Sequence, residues 1–144
     1  MFNFSEKNLL IIRKISNLNF VFVLTSFLIL EYGFINSEFS LNLIVNNSHT
    51  TKPMIYKISG LWGNHEGSLL LWILILNLFT FLFSNNKNIP KNNFFSNILG
   101  IQNIIIFFFL LFILFLSNPF QRSSNPPLEG LGLNPLLQAP GLAF

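Results

Sequence analysis

Three apolar runs, Leu18 to Ile35, Leu61 to Phe83 and Ile98 to Leu116, dominate the chain. Each comes to about the 20 residues that cross the hydrocarbon core of a bilayer. Composition agrees: 51% of residues are hydrophobic, 19 are Phe and only 9% are charged, against roughly 25% charged in soluble domains. Nothing outside the runs is long or apolar enough to build a water-soluble core of ordinary domain size. The expectation is an all-α membrane protein with three transmembrane helices and a Pro/Gly-rich outer-face tail. Its parts are an N-terminal segment 1–17, a helix 18–35, a loop 36–60, a second helix 61–83, a loop 84–97, a third helix 98–116 and the tail 117–144. Glu31 interrupts the first run, and Gln102 and Asn103 are the strongly polar side chains of the third. Those three are read as a boundary carboxylate and helix-to-helix hydrogen bonders.

Basic residues in short loops set orientation, because Lys and Arg stay on the cytoplasmic or matrix side. Lys7, Arg13, Lys14, Lys87 and Lys91 fall before the first run or between the second and third, against Lys52, Lys57 and Arg122 on the opposite side. The N-terminus is therefore expected inside and the C-terminus outside. The basic residues form no run of four and no aromatic platform, so nucleic-acid binding has no footprint. Cysteine is absent, which excludes disulfides, thiolate metal sites and thiol chemistry by this chain. The first residues hold Glu6 and lack a presequence's Arg-rich, acid-free character, so they read as an uncleaved start. Heavy use of Phe, Ile, Asn and Lys fits an A+T-biased organelle or endosymbiont gene. Five of the seven prolines (Pro119, Pro126, Pro127, Pro135 and Pro140) follow residue 117, which rules out a long helix there. Leucines keep that tail apolar, so it is expected on the membrane surface or against a partner.

The densest chemistry is Trp62-Gly63-Asn64-His65-Glu66-Gly67-Ser68, running into Leu69-Leu70-Leu71-Trp72. On a helix, Trp62, His65, Glu66 and Leu69 share one face, with Trp72 a turn beyond. Two readings stay open. One is an aromatic belt with a polar helix entry, capped by Ser59 or Asn64 and with Glu66 complementing the helix dipole. The other is a face that contacts a ligand or partner. No metal site is expected: a helical zinc pair needs a second His where Leu69 stands, and an axial haem pair would require His49 to reach His65 from a polar loop.

The stretch from Lys57 to Trp72, Lys-Ile-Ser-Gly-Leu-Trp-Gly-Asn-His-Glu-Gly-Ser-Leu-Leu-Leu-Trp, resembles the opening signature of the CcmF cytochrome c haem lyase family. Ser117-Asn118-Pro119-Phe120, then Leu133-Asn134-Pro135-Leu136-Leu137-Gln138 and Pro140-Gly141-Leu142, resemble the family's next block in the same order. The resemblance covers about residues 17 to 144. It implies a multi-span protein that helps ligate haem to apocytochrome c on the outer face, with haem arriving on a carrier and the substrate supplying the thiols. Gly132 and Ala139 stand where the family carries acids, and the family's ligand histidines and tryptophan-rich segment map beyond Phe144.

The resemblance thus implies an N-terminal subunit or fragment of such a lyase, not catalytic alone, in the mitochondrial inner membrane or, alternatively, a bacterial inner membrane. Haem is the implied cofactor, through the assembled complex. The implied partners are the remaining lyase fragments, other cytochrome c maturation proteins, the haem carrier, apocytochrome c and membrane lipid. Trp62, His65, Glu66 and Trp72 are the expected haem-platform or substrate-facing surface, and Asn118, Pro119, Phe120, Asn134, Pro135, Gln138, Pro140 and Gly141 the outer-face family motif. Rival readings are a small proton-conducting respiratory subunit, motivated by Glu31, and an assembly factor that never touches haem.

Overall fold

The computed structural model describes residues 6–90 and 92–132. Five helices follow in order: α1 Glu6–Asn36, α2 Asn42–Asn47, α3 Met54–Gly60, α4 His65–Asn85 and α5 Asn93–Phe115. No strand forms among the described residues, and α1, α4 and α5 are each long and apolar enough to cross a membrane. Helices suit these runs because lipid offers no hydrogen-bonding partner, so each backbone group must be paired within its own segment.

α1 begins well before the expected residue 18, so much of the N-terminal segment continues the first helix. The span within it runs Leu9–Asn36. The loop 36–60 is not bare either, since it contains α2 and α3.

Side-chain pairs fix the arrangement. Arg13 Nη2 donates to Asn85 Oδ1 at 2.8 Å, and Phe20 stacks on Phe81 with ring centroids 4.7 Å apart, so α1 and α4 run antiparallel. Phe83 stacks on Phe95 at 4.9 Å and Asn103 Nδ2 donates to Ser16 Oγ at 2.9 Å, which sets α5 parallel to α1. One end of the bundle therefore holds the start of α1 and the α4–α5 loop. The other holds residues 37–64 and 117–132.

α4 buries Gly67, Leu70, Ile73, Asn77, Thr80 and Ser84, a stripe at helical spacing. Leu70 and Ile73 join Val23, Leu30 and Phe34 of α1, Leu43 and Ile44 of α2, Leu61 and Ile113 in one apolar cluster. Two polar members of the stripe donate to their own helix, Asn77 Nδ2 to Ile73 O and Thr80 Oγ1 to Leu76 O, both at 2.8 Å, while Asn77 Oδ1 is buried without a hydrogen bond. Glu31 departs from its expectation in part. It is half-buried, and its Oε2 is covered and lacks a hydrogen bond instead of reaching water.

Candidate functional site

The Trp62 motif is split by the structure. α3 ends at Gly60, and Gly63 N donates to Ser59 O at 2.9 Å in a turn before α4 begins at His65. Asn64 has an extended backbone, and its Oδ1 accepts from Gly67 N at 2.7 Å, so Asn64 is the N-cap. Asn64 Nδ2 also donates to Gly60 O at 2.7 Å and Leu61 O at 3.0 Å, which ties the cap to the end of α3. Ser59 is buried and does not cap. Glu66 lies in the first turn of α4, where a carboxylate complements the positive end of the helix.

The single helical face expected for Trp62, His65, Glu66, Leu69 and Trp72 is therefore corrected. Trp62 precedes the helix and packs on the apolar cluster. His65, Ser68, Leu69, Trp72 and Leu76 of α4, facing Phe109 of α5, line a groove of about 290 Å³. His65 and Trp72 are brought together there, both exposed, and Trp72 retains 66% of its surface. Glu66 is outside that lining. Phe109 was not legible as a wall of this groove, because the α4–α5 pairing that faces it toward Leu69 is tertiary.

Over residues 121–132 the tail docks on the loop between α1 and α3, with Leu128 and Leu131 left exposed. Asn42 N donates to Gln121 O and Ser123 N to Ser40 O, both at 2.9 Å. Leu131 N donates to Val45 O at 2.7 Å and Gly132 N to Ser48 O at 3.1 Å. Those carbonyls belong to the C-terminal end of α2, where backbone acceptors have no partner within the helix. Gly130 is buried between them: a side chain there would run into Ser48 O and come within 2.8 Å of Phe39 Cε1.

Charge pins the same segment. Thr50 Oγ1 donates to Glu129 Oε1 at 2.8 Å, and His49 Nε2 stands 3.7 Å from Glu129 Oε2. The Thr50 hydroxyl holds the Glu129 carboxyl below the usual carboxylate range, with His49 and Lys57 adding to the effect. His49 Nδ1 is within 3.0 Å of Thr51 Oγ1, so this ring is engaged within its own loop. No group of three or more metal-binding side chains occurs among the described residues.

In the outer-face motif, Asn118 Oδ1 accepts from Phe120 N at 2.9 Å, closing a turn around buried Pro119. Phe120 and Arg122 then line a second groove, of about 590 Å³, with Tyr32, Asn36, Glu38 and Leu41 among its other walls. Asn134, Pro135, Gln138, Pro140 and Gly141 lie outside the described residues.

Residues 62–144 match the family model described as cytochrome C assembly protein. The chain is 47% identical over 125 residues to the cytochrome c-type biogenesis protein ccl1 of Rhodobacter capsulatus, covering 87% of this chain and 19% of that protein. It is 44% identical over 129 residues to the cytochrome c-type biogenesis protein CcmF of Escherichia coli, covering 87% and 20%. With the cytochrome c-type biogenesis protein NrfE of Haemophilus influenzae it shares 38% identity over 148 residues, covering 99% and 23%. The chain thus spans about a fifth of the length of the curated relatives it matches. No solved structure matches. The family model covers more than half of the residues, and the chain belongs to the cytochrome c assembly protein family.

Proposed function

We propose that this chain is a membrane-embedded part of a CcmF-type haem lyase and helps build the platform on which haem is attached to apocytochrome c. The observation that carries the reading is the match of residues 62–144 to the cytochrome c assembly family, together with relatives named for cytochrome c biogenesis. A respiratory proton conductor finds no support among those relatives.

The end holding the Trp62 turn, α2, α3 and the docked tail faces the outer side in this reading, and the end holding Arg13 and Lys87 faces the matrix or cytoplasm. The membrane is the mitochondrial inner membrane, or in a bacterium the inner membrane. Haem enters as substrate from its carrier, and the cysteines of apocytochrome c supply the thiols. The chain's own contribution is placement. Trp62 anchors the turn on the core, Asn64 caps α4, and His65 and Trp72 present an imidazole and an indole along one open groove.

His65→Ala and Trp72→Ala test that surface in cells that depend on this chain for cytochrome c. Holocytochrome c, read by haem staining, is expected to fall several-fold while the variant remains assembled in the membrane. Normal holocytochrome c with both variants stably assembled would remove the groove from the function. Affinity purification should recover the polypeptides that carry the rest of the relatives' length, and recovery of respiratory-complex subunits in their place would defeat the lyase reading.

A further inference from the structure

The larger groove, of about 590 Å³, carries one charge of each sign on its walls. Arg122 and Glu38 both line it and both are exposed, yet they form no ion pair; the one pair recorded among the described residues is His49 with Glu129. Their backbones are fixed. Leu41 and Arg122 face each other in an antiparallel bridge, closed by Asn42 N to Gln121 O and Ser123 N to Ser40 O, both at 2.9 Å. Glu38 N donates to Gly33 O at 3.0 Å, and Glu38 Oε1 accepts from Ser40 N at 3.3 Å. Two charges held on set backbone leave less to be ordered when one ligand spans them.

The groove also has an apolar side. Tyr32 lines it near the end of the span Leu9–Asn36, and tyrosines favour the headgroup level of a bilayer. Ile29, one turn deeper along α1, is a further wall and is exposed, and Phe22, seven residues before it on the same helical face, is exposed as well. A polar mouth thus leads onto an uncovered apolar stripe of a candidate span. Its volume falls within the roughly 300–1,000 Å³ of small-molecule sites.

We propose that this groove seats the headgroup of a zwitterionic phospholipid, with its phosphate on Arg122, its ammonium on Glu38 and its acyl chains along Ile29 and Phe22. The planar guanidinium fork matches phosphate oxygens, and a carboxylate takes the N–H groups of an ethanolamine ammonium. An anionic phospholipid would satisfy Arg122 and leave Glu38 facing a negative ligand. A soluble phosphodiester would leave Ile29 and Phe22 uncovered. The inference requires α1 to cross a bilayer and is independent of the haem lyase reading.

The full chain, purified with the polypeptides that accompany it, is reconstituted in nanodiscs of equal parts phosphatidylethanolamine and phosphatidylglycerol, each lipid in turn carrying a photoreactive diazirine in its acyl chain. Cross-links to residues 22–32 are counted by mass spectrometry. Phosphatidylethanolamine should exceed phosphatidylglycerol there by about threefold, the scale of a partly exposed ion pair. Glu38→Gln keeps an acceptor for Ser40 N while removing the charge, and should bring the ratio close to one. Arg122→Gln should lower the yield with both lipids, and Lys87→Met, at the other end of the bundle, should change neither. A further measurement needs no variant: glycerophosphoethanolamine, which has the headgroup but no chains, should fail to compete. A wild-type ratio of one, a ratio unmoved by Glu38→Gln, or a yield unmoved by Arg122→Gln overturns the proposal. Competition by glycerophosphoethanolamine as strong as by the lipid overturns it in favour of a soluble phosphodiester. With photoreactive benzoylphenylalanine in place of Tyr32, cross-linking to lipid supports the proposal, and cross-linking to a co-purifying polypeptide overturns it in favour of a protein partner. The haem lyase reading stands or falls separately, on holocytochrome c.

Discussion

Gly67 holds the motif in shape at the scale of one residue. It lies in the first turn of α4 against Leu61 O, where a Cβ would overlap the backbone, and its N–H is the donor that Asn64 captures. Gly67→Ala must therefore push α4 away from the end of α3. The expected loss is about 1–3 kcal/mol, the usual range for overpacking, measurable as a lower midpoint of thermal unfolding in detergent. Asn64→Ala removes the cap and should cost about 1 kcal/mol by the same measurement. Glu129 gives a pH dependence of known sign. Its carboxyl is held below the usual carboxylate range in the folded chain, so its contribution to tail docking is present above that range and is lost as pH falls through the lowered value. Hydrogen exchange at Leu131 and Gly132 should accelerate on acidification in the wild type. In Glu129→Gln that acid step should be absent.

Between elements, the seam of α1 and α4 is polar at one end and aromatic one turn further along. Asn85 Oδ1 accepts from Arg13 Nη2 at 2.8 Å, and Asn85 Nδ2 donates to Asn17 Oδ1 at 2.9 Å, while Ser84 Oγ donates to Asn17 at 3.2 Å. Apolar burial does little to join helices in lipid, so packing and such bonds carry their association. Asn85→Leu should weaken the pair by about 0.6 kcal/mol, up to about 1.7, seen as a lower urea or detergent-denaturation midpoint. The second span was expected from Leu61 because apolar residues continue back to that point. The helix starts at His65 instead, because Gly63 and the extended Asn64 break the run and Asn64 supplies the cap. The cap was legible as one of two residues, Ser59 or Asn64. The start of α4 at His65 decided between them, because Ser59 falls inside α3.

The three candidate spans among the described residues place the segments 37–64 and 86–92 at opposite ends, and the chain's lack of cysteine makes this testable without a background. Single cysteines at Thr51 and Ser124 should react with an impermeant thiol reagent from the outer side, and one at Asn86 only after the membrane is opened. Labelling of all three from one side would refute the arrangement. The spans, the absence of thiol chemistry, the helix entry near Asn64 and the family were legible in the order of residues. Each is local: apolar run length, composition and short motifs carry them without reference to distant parts. The position of Trp62 on the core, the groove shared by His65, Trp72 and Phe109, and the docking of residues 121–132 on α2 were not. A segment without helical or strand periodicity carries no record of which backbone acceptors it will meet. Only the tertiary packing brings Val45 O and Ser48 O to the tail.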